Sequence, residues 1–380
     1  MTTATRVFVE APARLHFGML DLGGSLGRRF GGIGAALPTP SVLVSASHAA
    51  ALTVHGDVPD DDASPNAGPN AGPNAAPNAA PNAAARDAAP DAVVPQLHVA
   101  LAAAQRVAAH FGIHGGTRVT VYRVIPVHQG LGSGTQLALA TARAMAELHQ
   151  LPATPAELSH IIGRARRSAI GTYVFAHGGF ILEGGRHPDS DRPAPLLARI
   201  PIPPQWRCVL AVPAAHPGVS GAAETAAFAA LPTPPPEEAA RVAHLTLMAL
   251  LPALVEHDFA AFGDALTEIQ RINGGWFAAA QGGPFALGPT ARLVEALLAH
   301  GAAGVGQSSW GPAVYALAPD EAAGAALAAF VRELPELRPH SDADHPRPGA
   351  PRPGVVYEGP FSPTGARVSR HAAGVAGRAR

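Results

Sequence analysis

Residues 6–20 alternate apolar and polar side chains and predict a strand with a turn at Ala11–Pro12. Residues 41–54, rich in Val, Ser and Thr, predict a second strand. Helical periodicity marks residues 93–111. A clear strand (TRVTVYRVI) follows at 117–125, and an Ala- and Leu-rich helix at 135–148. A helix with a basic end is expected at 156–167, and a strand interrupted by Gly178–Gly179 at 172–182. The apolar run at 206–212 predicts the strand that starts a second domain. Helices then dominate, at 222–230, 237–255, 258–272 and 290–300, before a strand at 313–317 and a helix at 321–334. Beyond Pro335 only residues 355–357 form a short apolar element, and the end of the chain reads as frayed. Mixed strands and helices in this order predict an α+β protein with two layers per domain.

One segment breaks the pattern. Between residues 58 and 91 the chain carries the tandem repeat PNAGPNAGPNAAPNAAPNAA, which has no large apolar residue. Such a stretch cannot offset its ordering entropy by burial, so an unstructured surface insertion is expected. The domain reading is therefore 1–200 (with the insertion at 58–91), 201–335, and a Pro/Arg/Gly-rich tail at 336–380.

Composition narrows the chemistry. All 27 Lys+Arg residues of the 380-residue chain are arginine. That excludes a Schiff-base or P-loop lysine, and leaves phosphate recognition to arginine and backbone N–H groups. A net charge of −1 offers no global attraction for nucleic acid or an acidic membrane. The single cysteine, Cys208, lies in an apolar strand and reads as a packed thiol. Neither a signal peptide nor an uncharged run of the ~20 residues needed to span a bilayer is read from the sequence, and a cytoplasmic setting is expected. The histidines show no metal-ligand spacing.

Three glycine-rich segments carry candidate chemistry. The second, IPVHQGLGSGTQ, lies between a strand and a helix. Gly130, Gly132 and Gly134 allow close backbone approach to a ligand. Ser133 and Thr135 stand where hydroxyls can cap the helix or touch a phosphate, and the helix N-terminus attracts anions. An ordinary tight turn at a helix start is the competing reading. In the first segment, APARLHFGMLDLGGSLGRRFGGIGAAL, Arg14, Asp21, Arg28 and Arg29 are charges in an otherwise Gly-rich and apolar stretch. Asp21 could bind Mg²⁺ or steady a developing cation, and the arginines could grip phosphate; a solvated hairpin is the alternative. His16 is read as a structural histidine first and a catalytic one second. The third segment, GVGQSSWGP, offers Gln307, Ser308 and Ser309, as a loop closing over the same ligand or as a plain turn. Arg164, Arg166 and Arg167 form either an anion site or a basic helix end.

RLHFG near the start, GLGSG before a helix and GVGQSSWGP near the end together resemble the GHMP kinase superfamily. RLHFGMLDLGGSLGRRFGGIG, RSAIGTYVFAHGGFILEGG and GQSSWGPAVYAL resemble, within it, the β-ribofuranosylaminobenzene 5'-phosphate synthases. These segments sample the chain from residue 7 to residue 318. The resemblance implies a ribosomal protein S5 domain 2-like N-terminal domain and a ferredoxin-like C-terminal domain. It implies a phosphoribosyltransferase joining phosphoribosyl pyrophosphate to 4-aminobenzoate or 4-hydroxybenzoate, with release of CO₂ and pyrophosphate, in tetrahydromethanopterin biosynthesis. It also implies Mg²⁺, a homodimer, catalytic roles for Asp21, Arg28 and Arg29, and substrate binding by Arg14, the 130–135 loop, Gln307, Ser308 and Ser309. Ser133–Gly134 stands where the kinases have a double serine, which argues against ATP-dependent kinase chemistry. A small-molecule kinase and a non-catalytic ligand sensor are the alternatives.

Overall fold

The computed structural model describes residues 5–57, 94–215, 218, 221–338 and 353–372; the expected insertion lies outside them. Two long antiparallel strands, β1 (Thr5–Gly18) and β2 (Gly32–Ala49), carry the N-terminal domain. Val7, Val9, Ala11, Ala13, Leu15 and Phe17 all point from β1 into the core, as the alternation predicts. The expected turn at Ala11–Pro12 does not form: β1 runs through it, and only its register on β2 shifts, between Pro12 and Ala13.

Further strands are β3 (Thr53–Gly56), β4 (Gly116–Arg123), β5 (Phe180–Glu183) and β6 (Leu196–Ile200). With β11 (Arg367–Ala372) they complete a seven-stranded sheet of order β11-β1-β2-β4-β3, β5 pairing with the first half of β2 and with β6. The helices α1 (Val94–Phe111), α2 (Ser133–Leu148), α3 (Pro155–Ile161) and α4 (Ile170–His177) form its second layer.

The C-terminal domain pairs β7 (Arg207–Val212), β8 (Ala303–Gln307), β9 (Val314–Ala318) and β10 (Gly354–Pro360) in the order β10-β7-β9-β8, wholly antiparallel. Helices α5 (Gly221–Ala230), α6 (Pro236–Leu245), α7 (Leu251–Glu256), α8 (Phe259–Gln281) and α9 (Pro289–Ala299) lie between β7 and β8, and α10 (Glu321–Glu333) lies between β9 and β10. A β-α-β-β-α-β order with first and last strands adjacent is the ferredoxin-like arrangement the sequence led us to expect. A π turn at Thr246–Leu250 joins α6 to α7 just before Pro252, whose missing N–H breaks the normal ladder. The joined helix, 236–256, is long and apolar enough by composition to cross a bilayer. Here Val242, Leu245, Leu250 and Leu254 on one face are buried in the protein core.

The structure corrects four further expectations. The chain beyond Pro335 is not a loose tail, because β10 completes the second sheet and β11 edges the first. Both domains therefore close only when the end of the chain returns. The segment around 172–177 is the helix α4, not a strand. It is buried on nearly every side, so no polar stripe reveals its period, and Gly178 in the left-handed region (φ 63°) ends it. The second strand starts at Gly32 rather than 41, in a stretch whose glycines hide the alternation. A Cβ on Gly34 would stand 2.4 Å from Leu15 O and 2.6 Å from Ile170 Cγ2, so only glycine lets α4 pack there. The basic-ended helix at 156–167 is short: α3 stops at Ile161.

Replacing the buried Phe361, which follows β10, with Ala should lower the unfolding free energy by about 3 kcal/mol. Equilibrium denaturation measures this. A loss within about 0.5 kcal/mol, as at a surface position, would show that the returning segment is not docked.

Candidate active site

Three segments far apart in sequence meet at one place. Arg14 and His16 occupy the end of β1, residues 128–132 lead into α2, and residues 307–312 link β8 to β9. Ser308 ties them together: its hydroxyl donates to Gly130 O (2.7 Å) and accepts from the His16 backbone N–H (3.0 Å). Arg14 N donates to Leu131 O (3.1 Å), and the Arg14 guanidinium also reaches Gly130 O. The glycine at 130 is required twice over. Its φ is +74°, and a Cβ would lie 2.0 Å from Ser308 O.

The N-terminus of α2 is open. Its N-cap is Gly132 (φ 77°), with no side-chain cap. Ser133 and Thr135 thus stand in the first turn without capping it, and the leading N–H groups are available to an anion. Two arginines flank this helix end. Arg14 lies against Gly132, and the Arg164 guanidinium lies 3.7 Å from where a Cβ of Gly134 would be. Neither forms a salt bridge among the described residues. Burial lowers both pKa values, that of Arg14 to about 10, while the more distant Glu224 opposes the shift. Both remain cationic at neutral pH. Positive charge and unpaired N–H groups therefore converge, the arrangement that binds phosphate.

Beside the anion site opens an aromatic-lined cleft. Phe228, Phe277 and Trp310 stand nearly perpendicular to one another around it, with centroids 5.0–5.7 Å apart. Arg167 fixes Phe228 from behind, its guanidinium 4.8 Å from the ring and 2.8 Å from Glu224. The carboxamides at the cleft are already committed. Asn273 accepts from Met19 N (2.6 Å) and donates to Met19 O (3.1 Å). Gln270 donates to Phe17 O and accepts from Gln307 N (3.0 Å). Gln307 accepts from Ala286 N (2.8 Å) and donates to Ser309 O (3.0 Å).

His16 also lines the cleft. Its Nε2 is 3.2 Å from Ser168 Oγ, and the Ser168 hydroxyl interacts in turn with the Glu183 carboxylate. Burial, then the nearby Arg14, pushes the His16 pKa down to about 3, so the ring is neutral. Glu183 is fully buried. It accepts from Gly185 N (2.9 Å) and Ala169 N (3.3 Å), yet burial outweighs these bonds and raises its pKa to about 7.

The comparisons with known proteins agree with this geometry. The family model of the GHMP kinases N terminal domain matches residues 98–179, and that of the GHMP kinases C terminal domain matches residues 250–336. The chain is 32% identical over 322 residues to the β-ribofuranosylphenol 5'-phosphate synthase of Methanothermobacter thermautotrophicus, covering 82% of this chain and 88% of that protein. The chain belongs to the β-ribofuranosylphenol 5'-phosphate synthase family. A second relative with that name, from Archaeoglobus fulgidus, is 31% identical over 327 residues, covering 83% of this chain and 89% of its own. Among solved structures, homoserine kinase from Cytophaga hutchinsonii shares the fold with a TM-score of 0.62 at 18% identity, covering 97% of this chain and 98% of its own. The protein is thus an enzyme of the GHMP kinase superfamily, with its N- and C-terminal domains.

In this member of the synthase family the expected site residues divide into three groups. Arg14, Gly130, Gly132, Ser133, Gly134 and Thr135 gather at the anion site. Gln307 and Ser308 lie behind it as structural ties, and Ser309, exposed and in the left-handed region (φ 56°), stands at the cleft. Asp21, Arg28 and Arg29 belong instead to the hairpin between β1 and β2. Asp21 Oδ1 accepts from Gly24 N (2.7 Å). Arg28 donates to Gly185 O (3.1 Å) and Arg29 to Leu22 O (3.2 Å), not to the 130–135 loop. The hairpin reaches the cleft through Phe30, packed on Phe228. Among the described residues no three His, Cys, Asp or Glu side chains cluster as a metal site. Asp21 alone makes no cage, so a Mg²⁺ ion would depend on substrate oxygens. Residue-by-residue reading missed Ser168, Glu183, Phe228, Phe277 and Trp310. Arg164 was one of three equivalent arginines, and only its nearness to Gly134 singles it out.

Glu183 gives a pH signature. The folded protein holds this proton more tightly than the unfolded chain, so stability falls as pH rises from about 4.5 to about 7 and levels above that. Glu183→Gln should remove that slope. Denaturation midpoints at pH 5 and pH 8 measure it, and an identical slope in the variant would assign it elsewhere.

Proposed function

We propose that the protein transfers the phosphoribosyl group of phosphoribosyl pyrophosphate to the ring carbon that bears the carboxylate of a 4-substituted benzoate. CO₂ and pyrophosphate leave, and a C-riboside forms. The observation that carries this reading is the pairing of a cationic site without a salt-bridge partner among the described residues, made by Arg14, Arg164 and the α2 N-terminus, with an aromatic cleft beside it. The relatives are named for a ribofuranosylphenol phosphate, which favours 4-hydroxybenzoate over 4-aminobenzoate as acceptor. The product would serve tetrahydromethanopterin biosynthesis.

Each part of the chemistry has residues to serve it. Departure of pyrophosphate leaves an oxocarbenium-like ribosyl centre. Arg14, Arg164 and the helix N–H groups offset the charge that develops on the leaving group, without reorganising. Phe228, Phe277 and Trp310 hold the acceptor ring and keep water from the cation. Asp21 does not line the cleft, and its assignment to the developing positive charge rests on the family resemblance alone; Mg²⁺ would arrive on the diphosphate.

The test is one incubation of the purified protein with Mg²⁺, phosphoribosyl pyrophosphate and carboxyl-labelled 4-hydroxybenzoate or 4-aminobenzoate. Equimolar CO₂ and pyrophosphate support the reading, with 4-hydroxybenzoate the better acceptor. A folded protein that releases neither would sink it, and ATP-dependent phosphorylation of a metabolite would then point to a kinase. Arg164→Gln should raise KM for phosphoribosyl pyrophosphate by roughly tenfold or more, the effect of one charge-assisted bond. Asp21→Asn should cut turnover by roughly tenfold, about 1.4 kcal/mol of barrier, and unchanged turnover would remove Asp21 from the mechanism.

A further inference from the structure

We propose that His16 is the base that takes the proton from the 4-hydroxyl of the aromatic acceptor, with Ser168 and Glu183 as positioning residues behind it. This rests on the function proposed above and names a catalytic group for it.

Elimination among the residues of the cleft leads to His16. No carboxylate lines the cleft. Its carboxamides carry no basic site, and those of Asn273, Gln270 and Gln307 already bind backbone. His16 is the lining side chain with a basic lone pair to offer. Its backbone is pinned by Ser308 and its Nε2 by Ser168, and among the described residues Nδ1 has no hydrogen-bond partner. Ser168 Oγ also accepts from Ile170 N (3.3 Å), and the buried Glu183 lies beyond it. In the tautomer that base catalysis requires, the ring proton is on Nε2, shared with Ser168, and the lone pair is on Nδ1. Gly32 gives this chain its room. A Cβ there would lie 3.2 Å from Glu183 Oε1 and 3.5 Å from His16 Nε2. The charged groups facing His16 are Arg14 on its own strand and, through Ser168, Glu183 on β5.

The step balances. The phenolic O–H proton passes to Nδ1. The electron pair released on oxygen drives the carboxylate-bearing ring carbon onto ribose C1, and the C1–O bond to pyrophosphate breaks. The intermediate is a cyclohexadienone. Loss of CO₂ returns its bonding pair to the ring, and the proton comes back to the oxygen. A neutral amine is a stronger π donor than a neutral hydroxyl, so 4-aminobenzoate needs no base for attack.

That difference is the test. His16→Asn, Ser168→Ala and Glu183→Gln are compared with wild type at saturating phosphoribosyl pyrophosphate. The acceptors are 4-hydroxybenzoate, 4-aminobenzoate and a ring-fluorinated 4-hydroxybenzoate whose phenol ionises unaided. For His16→Asn we expect kcat with 4-hydroxybenzoate to fall roughly 10²-fold, the lower range for general-base catalysis, with KM little changed. With 4-aminobenzoate the fall should be under roughly tenfold, and the fluorinated acid should recover most of the loss. Ser168→Ala and Glu183→Gln should shift the same ratio in the same direction by a smaller factor. Equal loss with every acceptor and no rescue would make His16 a structural residue and overturn the proposal. Wild-type CO₂ release decides the parent reaction independently, so its absence would overturn both. Should wild type reject 4-aminobenzoate, the fluorinated acid decides alone.

Discussion

The site hangs from the end of one buried strand. At Phe17–Met19, β1 runs out of regular partners in the seam between the domains, where backbone polar groups cannot reach water and must be paired within the protein. Two carboxamides of α8 supply the pairing. Asn273 bonds both polar groups of Met19, while Gln270 spans from Phe17 O to Gln307 N. The first-domain strand and the third glycine-rich segment are therefore held by one helix. Fit is close: a Cβ on Gly306 would lie 2.5 Å from Gln270 Oε1, and one on Gly18 would lie 3.1 Å from Asn273 Oδ1. Because side chains alternate along a strand, fixing its end also fixes Arg14 and His16 on the side opposite Leu15 and Phe17.

The other side of β1 packs the seam with aromatic rings. Phe17 packs on Tyr315 of the second sheet (5.0 Å) and on Phe180 of the first (6.3 Å). Phe180 continues to Phe262 of α8, and Phe262 to Trp206. One aromatic core thus crosses both domains. The return of the chain through β10 and β11, one strand to each sheet, ties the same two bodies a second time.

Much of this was legible in the sequence, and the exceptions have physical reasons. The alternation in β1, the buried Cys208 and the glycine-rich turn into α2 are local features, and each is found as expected. The helix α4 was not legible, because an element buried on nearly all sides has no polar face to betray its period. The strands β10 and β11 sit in a Pro- and Arg-rich stretch, where composition argued for a loose end. The His16–Ser168–Glu183 chain joins residues from three distant segments, and no local pattern announces such a contact. Among the arginines, position and not type decides: Arg28 and Arg29 bond hairpin carbonyls, whereas Arg164 faces the helix end.

The unpaired arginines and the neutral histidine are two halves of one electrostatic design. Partly burying Arg14 and Arg164 without a carboxylate in contact is unfavourable, as their lowered pKa values indicate, and an anionic ligand would supply the missing counter-charge. Arg14 also helps hold the His16 pKa down, two residues along the same strand. On the reading proposed above, phosphate oxygens that offset the Arg14 charge would relieve that part of the depression, burial keeping the larger part. The coupling is reciprocal, since a proton gained at His16 strengthens the pull on the anion. On that reading a filled anion site would raise the basicity of the imidazole in the neighbouring cleft above its value with the site empty. Short distance along one strand and low local polarity suffice for this ordering, with no moving part.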